Sequence, residues 1–137
     1  MLARLVMVLA LVLGGGAFSL SAAAKDTVVD AALMKVINPD GDGTVDLAEA
    51  QAAGTAEFKK LNPDDDGTLD EKELAGRLDA ADFAAANPDG DGTLDPAEYA
   101  ALIEKLFKEA NPDDDGTLDE AELKSAAGQK LLALIAD

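Results

Sequence analysis

No cysteine, histidine or tryptophan occurs in this chain of 137 residues, and it has a single tyrosine. Without thiols or imidazoles, disulfides, Cys/His zinc sites, iron–sulfur clusters and histidine-based acid–base catalysis are all excluded. Basic residues are scarce too: 11 Lys and Arg stand against 28 Asp and Glu, a net charge of -17. Such a chain repels nucleic acid and anionic membrane surfaces, so neither is expected as a partner. Cations are its natural counterpart, and oxygen is the chemistry left to hold them. The length suits one small domain rather than two well-packed ones.

Residues 1–24 stand apart, with no acid and one base, Arg4. An apolar run over 5–13 leads into Gly14, Gly15 and Gly16 and ends in Ala22, Ala23 and Ala24. This is the layout of a signal peptide cut before Lys25, which leaves 25–137 as a single domain outside the cytoplasm and free of the membrane. An uncleaved anchor is the alternative, because 5–24 could nearly span a bilayer. The glycines and the small-residue end favour cleavage.

A twelve-residue repeat dominates the remainder: NPDGDGTVDLAE at 38–49, NPDDDGTLDEKE at 62–73, NPDGDGTLDPAE at 87–98 and NPDDDGTLDEAE at 111–122. Each matches the EF-hand calcium loop, in which positions 1, 3, 5, 7, 9 and 12 supply oxygen and position 6 is a glycine for the sharp turn. The candidate ligands are Asn38, Asp40, Asp42, Thr44, Asp46 and Glu49 in the first loop and Asn62, Asp64, Asp66, Thr68, Asp70 and Glu73 in the second. In the third they are Asn87, Asp89, Asp91, Thr93, Asp95 and Glu98, and in the fourth Asn111, Asp113, Asp115, Thr117, Asp119 and Glu122. The threonines would bind through their backbone carbonyls and the glutamates through both oxygens. One acidic, glycine-rich run could be a solvated loop, but four complete matches make a hard-cation binder the firm reading. Clustering four carboxylates in one loop is destabilising unless a multivalent cation sits among them.

Position 2 is proline every time, as Pro39, Pro63, Pro88 and Pro112. Proline stops the incoming helix and pushes the preceding Asn toward extended backbone, which lowers the entropy lost on closing around an ion. Asn at position 1 coordinates without adding charge.

The loops start 24, 25 and 24 residues apart, which leaves only 12 or 13 residues between them. That is about half of what separate exiting and entering helices need, so each connector is expected to be one shared helix. The first, over 47–61, places Leu47, Ala50, Gly54, Phe58 and Leu61 at helical spacing, and the third, over 96–110, places Tyr99, Leu102, Ile103, Leu106 and Phe107. The middle one, over 71–86, carries Leu74, Leu78 and Phe83, with Gly76 and a candidate N-cap at Asp79 suggesting a break. An entering helix over 27–37 and a closing one over 120–135 flank them, and all these apolar stripes read as core. The expected fold is all-α, a compact three-helix bundle with four EF-hand loops at its ends.

A shared helix of fifteen residues is about 22 Å long. Successive loops should therefore fall at opposite ends, the first beside the third and the second beside the fourth. Positions 4 and 10 alternate in agreement: Gly41 and Gly90 against Asp65 and Asp114, Leu47 and Pro96 against Glu71 and Glu120. Duplication of a two-loop unit would produce the same alternation.

The N-P-D-x-D-G-T-[VL]-D-x-x-E loops, their short spacing, the leader and the small-residue stretch Ala126, Ala127, Gly128 together resemble the lanmodulin family over essentially the whole exported chain. The resemblance implies a periplasmic protein of methylotrophic bacteria that binds up to four lanthanide(III) ions of the La, Ce, Nd type in preference to Ca2+. It also implies folding on binding, and lanthanide uptake or delivery to a lanthanide-dependent alcohol dehydrogenase or uptake protein. Uniform Asn at position 1 departs from the family, which more often has Asp there.

The residues alone do not separate lanthanide from calcium, since both take many carboxylate oxygens at similar distances. A periplasmic calcium buffer or sensor is the alternative. Sensors open a Met-rich groove, and beyond residue 24 only Met34 remains. Dockerin-like adhesion modules use two loops, and an enzyme is disfavoured because the clustered carboxylates are absorbed by the loops. Oligomeric state stays open, a homodimer included. With so much charge and few aromatics, the metal-free chain is expected to be largely unfolded and to gain helix with metal.

Overall fold

A computed structural model describes residues 27–136. The expected leader, 1–24, lies outside the described residues.

The order is α1 (Ala31–Ile37), β1 (Val45–Asp46), α2 (Leu47–Leu61), β2 (Leu69–Asp70), α3 (Ala80–Ala86), β3 (Thr93–Leu94), α4 (Pro96–Ala110), β4 (Thr117–Leu118), α5 (Glu120–Leu123) and α6 (Ala126–Ile135). The described chain is mostly helical, and its strands are two residues each. No helix among the described residues is long and apolar enough to cross a membrane.

Helices α2 and α4 are the single connectors that the short spacing demands. Each starts on a capping box, with Asp46 and Glu49 on α2 and Asp95 and Glu98 on α4, and Pro96 opens α4 where its missing N–H costs nothing. Lys59 and Lys60 in the last turn of α2, and Lys108 in that of α4, offset the negative helix ends.

The middle connector is different. Residues 71–77 form turns, Gly76 takes the left-handed φ of +81°, and α3 begins afresh with the Asp79 carboxylate accepting from Asp82 N. The closing segment is also two helices rather than one. The hydroxyl of Ser125 caps α6 by accepting from Gly128 N, and a Cβ at Gly128 would lie 2.2 Å from the Glu122 carbonyl oxygen. Only glycine permits that close turn of α6 onto α5.

The broken connector overturns the expected arrangement of the loops. β2 pairs with β3 in antiparallel register, Leu69 opposite Leu94, and β1 pairs with β4, Val45 opposite Leu118. The second loop thus lies beside the third, and the first beside the fourth. The reason is geometric: the turn and the short α3 reverse the chain within one connector. α2 and α4, each about 22 Å long, then carry the first and fourth loops away to the other end together.

The core lies where α2, α4 and α6 pack against one another. Gly54 lets α4 come close, since a Cβ there would sit 2.1 Å from Ile103 Cδ1. One turn on, the Phe58 and Tyr99 rings meet edge to face with centroids 5.4 Å apart. α6 contributes Leu131, Leu132, Leu134 and Ile135, all buried, each worth about 1.5–3 kcal/mol of apolar burial. The stripes expected on α4 are all buried, but Val36 of the entering helix is 67% exposed. Ile37 and Leu33, one turn apart, form the inward face of that helix instead.

Polar contacts fasten α6 to the rest. Tyr99 Oη donates to the Leu134 carbonyl, and Arg77 Nη1 donates to the carbonyls of Ala133 at 3.1 Å and Ala136 at 3.4 Å. These are helix-terminal acceptors that lack intrahelical partners. Glu57, 2% exposed, lies 3.1 Å from the same guanidinium nitrogen and 2.8 Å from Lys60 Nζ. Lys130 on α6 bonds Asp82 on α3 at 2.6 Å, and Gln129 exchanges hydrogen bonds with the Thr27 backbone at the start of the described chain.

Candidate metal centres

Each loop starts at the end of a helix. Asn38, Asn62, Asn87 and Asn111 are the C-caps of α1, α2, α3 and α4, at φ between -130° and -106° and ψ of 75–77°. The backbone has left the helix before each proline but stops short of the fully extended form. Each Asn N–H still bonds back into its helix, to the carbonyls of Met34, Phe58, Phe83 and Lys108, which limits how far the chain can open. All four Asn side chains are buried, at 4–8% exposure.

From there the loops repeat one scheme. The carboxylate at position 5 (Asp42, Asp66, Asp91, Asp115) accepts from both the N–H and the hydroxyl of the position-7 threonine, as in Thr44 N to Asp42 Oδ1 at 2.8 Å and Thr44 Oγ1 at 2.9 Å. These donors hold the Asp42 and Asp91 carboxyls below the ordinary value, the Thr44 and Thr93 backbone N–H groups contributing most. Position 9 caps the next segment. Asp46, Asp70, Asp95 and Asp119 accept from the N–H of Glu49, Glu73, Glu98 and Glu122, and each glutamate Oε2 accepts in return from the position-9 N–H at 2.9–3.0 Å. Position 8 is fully buried in every loop, which anchors it to the two-residue ladders.

These reciprocal bonds leave specific oxygens over. With Oε2 engaged, the Oε1 atoms of Glu49 and Glu122 are buried without a hydrogen-bond partner, and so are the Oδ1 atoms of Asn62 and Asn111. An orphaned buried acceptor is destabilising by about 1–3 kcal/mol. They belong to positions 1 and 12, the two ends of the ligand scheme, and the fourth loop has both. Hard oxygens of this kind suit a hard cation.

The carboxylates themselves are not gathered. Positions 3 and 5 are exposed in all four loops, and among the described residues no group of three or more acidic side chains converges closely enough to hold a metal ion. Like charges repel, and each of these carboxylates is drawn to loop N–H groups instead, as Asp40 Oδ1 is to Asp42 N at 3.2 Å.

The loops fall into two kinds, a difference read in the sequence only as alternation at positions 4 and 10. In the first and third, Asn38 and Asn87 Oδ1 accept from the N–H of Gly41 and Gly90 at 2.8 and 2.9 Å. In the second and fourth, position 4 is Asp65 or Asp114, held at a left-handed φ of 58°, and the Asn oxygen has no partner. What sequence reading missed outright is the supporting shell: Glu57 and Arg77, whose i-to-distant pairing carries no local signal.

Compared with protein-family models and with curated proteins, the chain matches none.

Proposed function

We propose that this protein binds trivalent lanthanide ions at four EF-hand loops on a compact helical bundle, as the lanmodulin family does, and folds as it binds them. The observation that carries the reading is the fourfold set of oxygens at positions 1, 3, 5, 7, 9 and 12, with buried acceptors that have no protein donor at position 1 of the second and fourth loops and at position 12 of the first and fourth. The position-9 carboxylate and the position-12 glutamate already lock each other at the mouth of the following segment. A cation drawing on Glu Oε1 would therefore meet a side chain whose rotamer is set. Exposed Asp40 and Asp42, and their counterparts, would swing in from solvent to complete each shell.

Export to the periplasm, with uptake or hand-over of the ion to a lanthanide-dependent alcohol dehydrogenase, follows from the leader-like 1–24 and the resemblance. The same oxygens suit calcium, so a calcium buffer is the competing reading. A circular-dichroism titration with La(III) and, separately, with Ca(II) decides between them. The lanthanide reading expects helix gain at far lower free La(III) than Ca(II). Equal midpoints would leave a calcium protein, and no gain with either ion would remove metal-coupled folding. Glu49→Gln and Glu122→Gln together should weaken La(III) binding at the first and fourth loops while leaving the second and third filled.

A further inference from the structure

We infer that the four loops fill in two steps, the second and fourth before the first and third, so that the first two ions bind one at each end of the bundle. This rests on the proposed metal-binding reading and adds an order to it.

Three observations carry it. The first is the state of the position-1 oxygen. Asn62 and Asn111 are 8% and 7% exposed, with Oδ1 buried and unpartnered. A cation there satisfies an oxygen that nothing else satisfies; at position 12 the unpartnered oxygens, Glu49 and Glu122 Oε1, fall one in each kind of loop and so do not separate the two. Asn38 and Asn87 Oδ1 are already held by glycine N–H groups, so coordination must share or displace an existing bond. The second is charge. Asp65 and Glu71 in the second loop, and Asp114 and Glu120 in the fourth, add carboxylates where the other two loops have Gly41 and Leu47, or Gly90 and Pro96. Lys72 and the Lys124 that pairs with Glu120 offset the position-10 glutamates, which leaves Asp65 and Asp114 as the clear difference. Attraction for a trivalent ion rises with each nearby negative charge. The third is topology. The ladders join the first loop to the fourth and the second to the third, so each end of the bundle holds one loop of each kind. Two ions on the favoured loops then order both ends, and the remaining pair binds to ladders already set.

The difference of one hydrogen bond and the added charge predicts affinities separated by about tenfold or more. The test is an amide NMR titration of the isotopically labelled protein with La(III), following the position-6 glycines Gly43, Gly67, Gly92 and Gly116, one per loop. The expected result is that Gly67 and Gly116 shift during the first two equivalents and Gly43 and Gly92 during the next two, with most helix gained by the second. Concurrent shifts, or Gly43 and Gly92 moving first, would overturn the order while leaving metal binding intact. Silence at all four glycines would overturn metal binding itself. The double variant Asp65→Gly, Asp114→Gly gives the second and fourth loops the Gly41 arrangement and removes one charge from each. It should shrink the separation between the two steps severalfold, and an unchanged separation would sink the proposed cause.

Discussion

Val45 and Leu118, from the first and last loops, lie directly opposite each other in an antiparallel ladder, both fully buried. Leu118→Ala should lower unfolding stability by about 3 kcal/mol, measured at one fixed La(III) concentration so that linkage to metal is constant. The pairing itself is tested by double-mutant cycles. Val45→Ala and Leu118→Ala should couple by about 0.5 kcal/mol or more, whereas Val45→Ala and Leu94→Ala should add. Coupling of Val45 to Leu94 would restore the arrangement with the first and third loops together.

Gly54 makes the same point between helices. A methyl at this position meets Ile103 Cδ1 at 2.1 Å, so Gly54→Ala should destabilise by about 1–3 kcal/mol through overpacking despite its gain in helix propensity. Ile103→Val removes the offending atom. The pair Gly54→Ala, Ile103→Val should therefore be more stable than Gly54→Ala alone in the same denaturant series, and a purely additive loss would show that the contact is not the cause.

Arg77 links the turn over 71–77 to the end of α6 and to buried Glu57. Replacing it with methionine leaves Glu57 with Lys60 alone, whose side chain is 62% exposed, and should be destabilising by about 3 kcal/mol. Adding Glu57→Leu removes the stranded charge and should recover part of that loss. If Arg77→Met melts at the wild-type temperature, this tie contributes nothing to the fold.

Hydrogen bonds to the position-5 carboxylates of the first and third loops should help those loops keep metal as the pH falls. Thr44 and Thr93 hold Asp42 and Asp91 below the ordinary value of 3.8. A depressed carboxyl contributes in full above 3.8 and is lost as pH falls through its lowered value. La(III) release read at Gly43 and Gly92 should accordingly lie at lower pH than it would without these donors. Thr44→Val, which deletes the hydroxyl donor to Asp42, should move the release at Gly43 to higher pH, and an unmoved curve would show that the hydroxyl has no part in it.

Much of this molecule is written locally. The apolar stripe of α4, the capping boxes at Asp46 and Asp95, the proline that opens α4 and the break between Gly76 and Asp79 are all decided by neighbours in the chain, and so were readable from the order of residues. The candidate ligands of each loop are likewise a local pattern, six residues within twelve.

Which loop lies beside which was not written that way. Val45, Leu69, Leu94 and Leu118 are near-interchangeable apolar residues in two-residue ladders, and so short a pairing surface carries no code for its partner. The choice fell to tertiary packing. The turn over 71–77, held by Arg77 against Glu57 and the end of α6, folds the middle connector back and sends α2 and α4 the same way. The sequence by itself determined four oxygen-rich loops and the helices between them, because those depend on contacts a few residues apart. The structure decided that unlike loops share each end, because only long-range packing can reverse a chain in the middle.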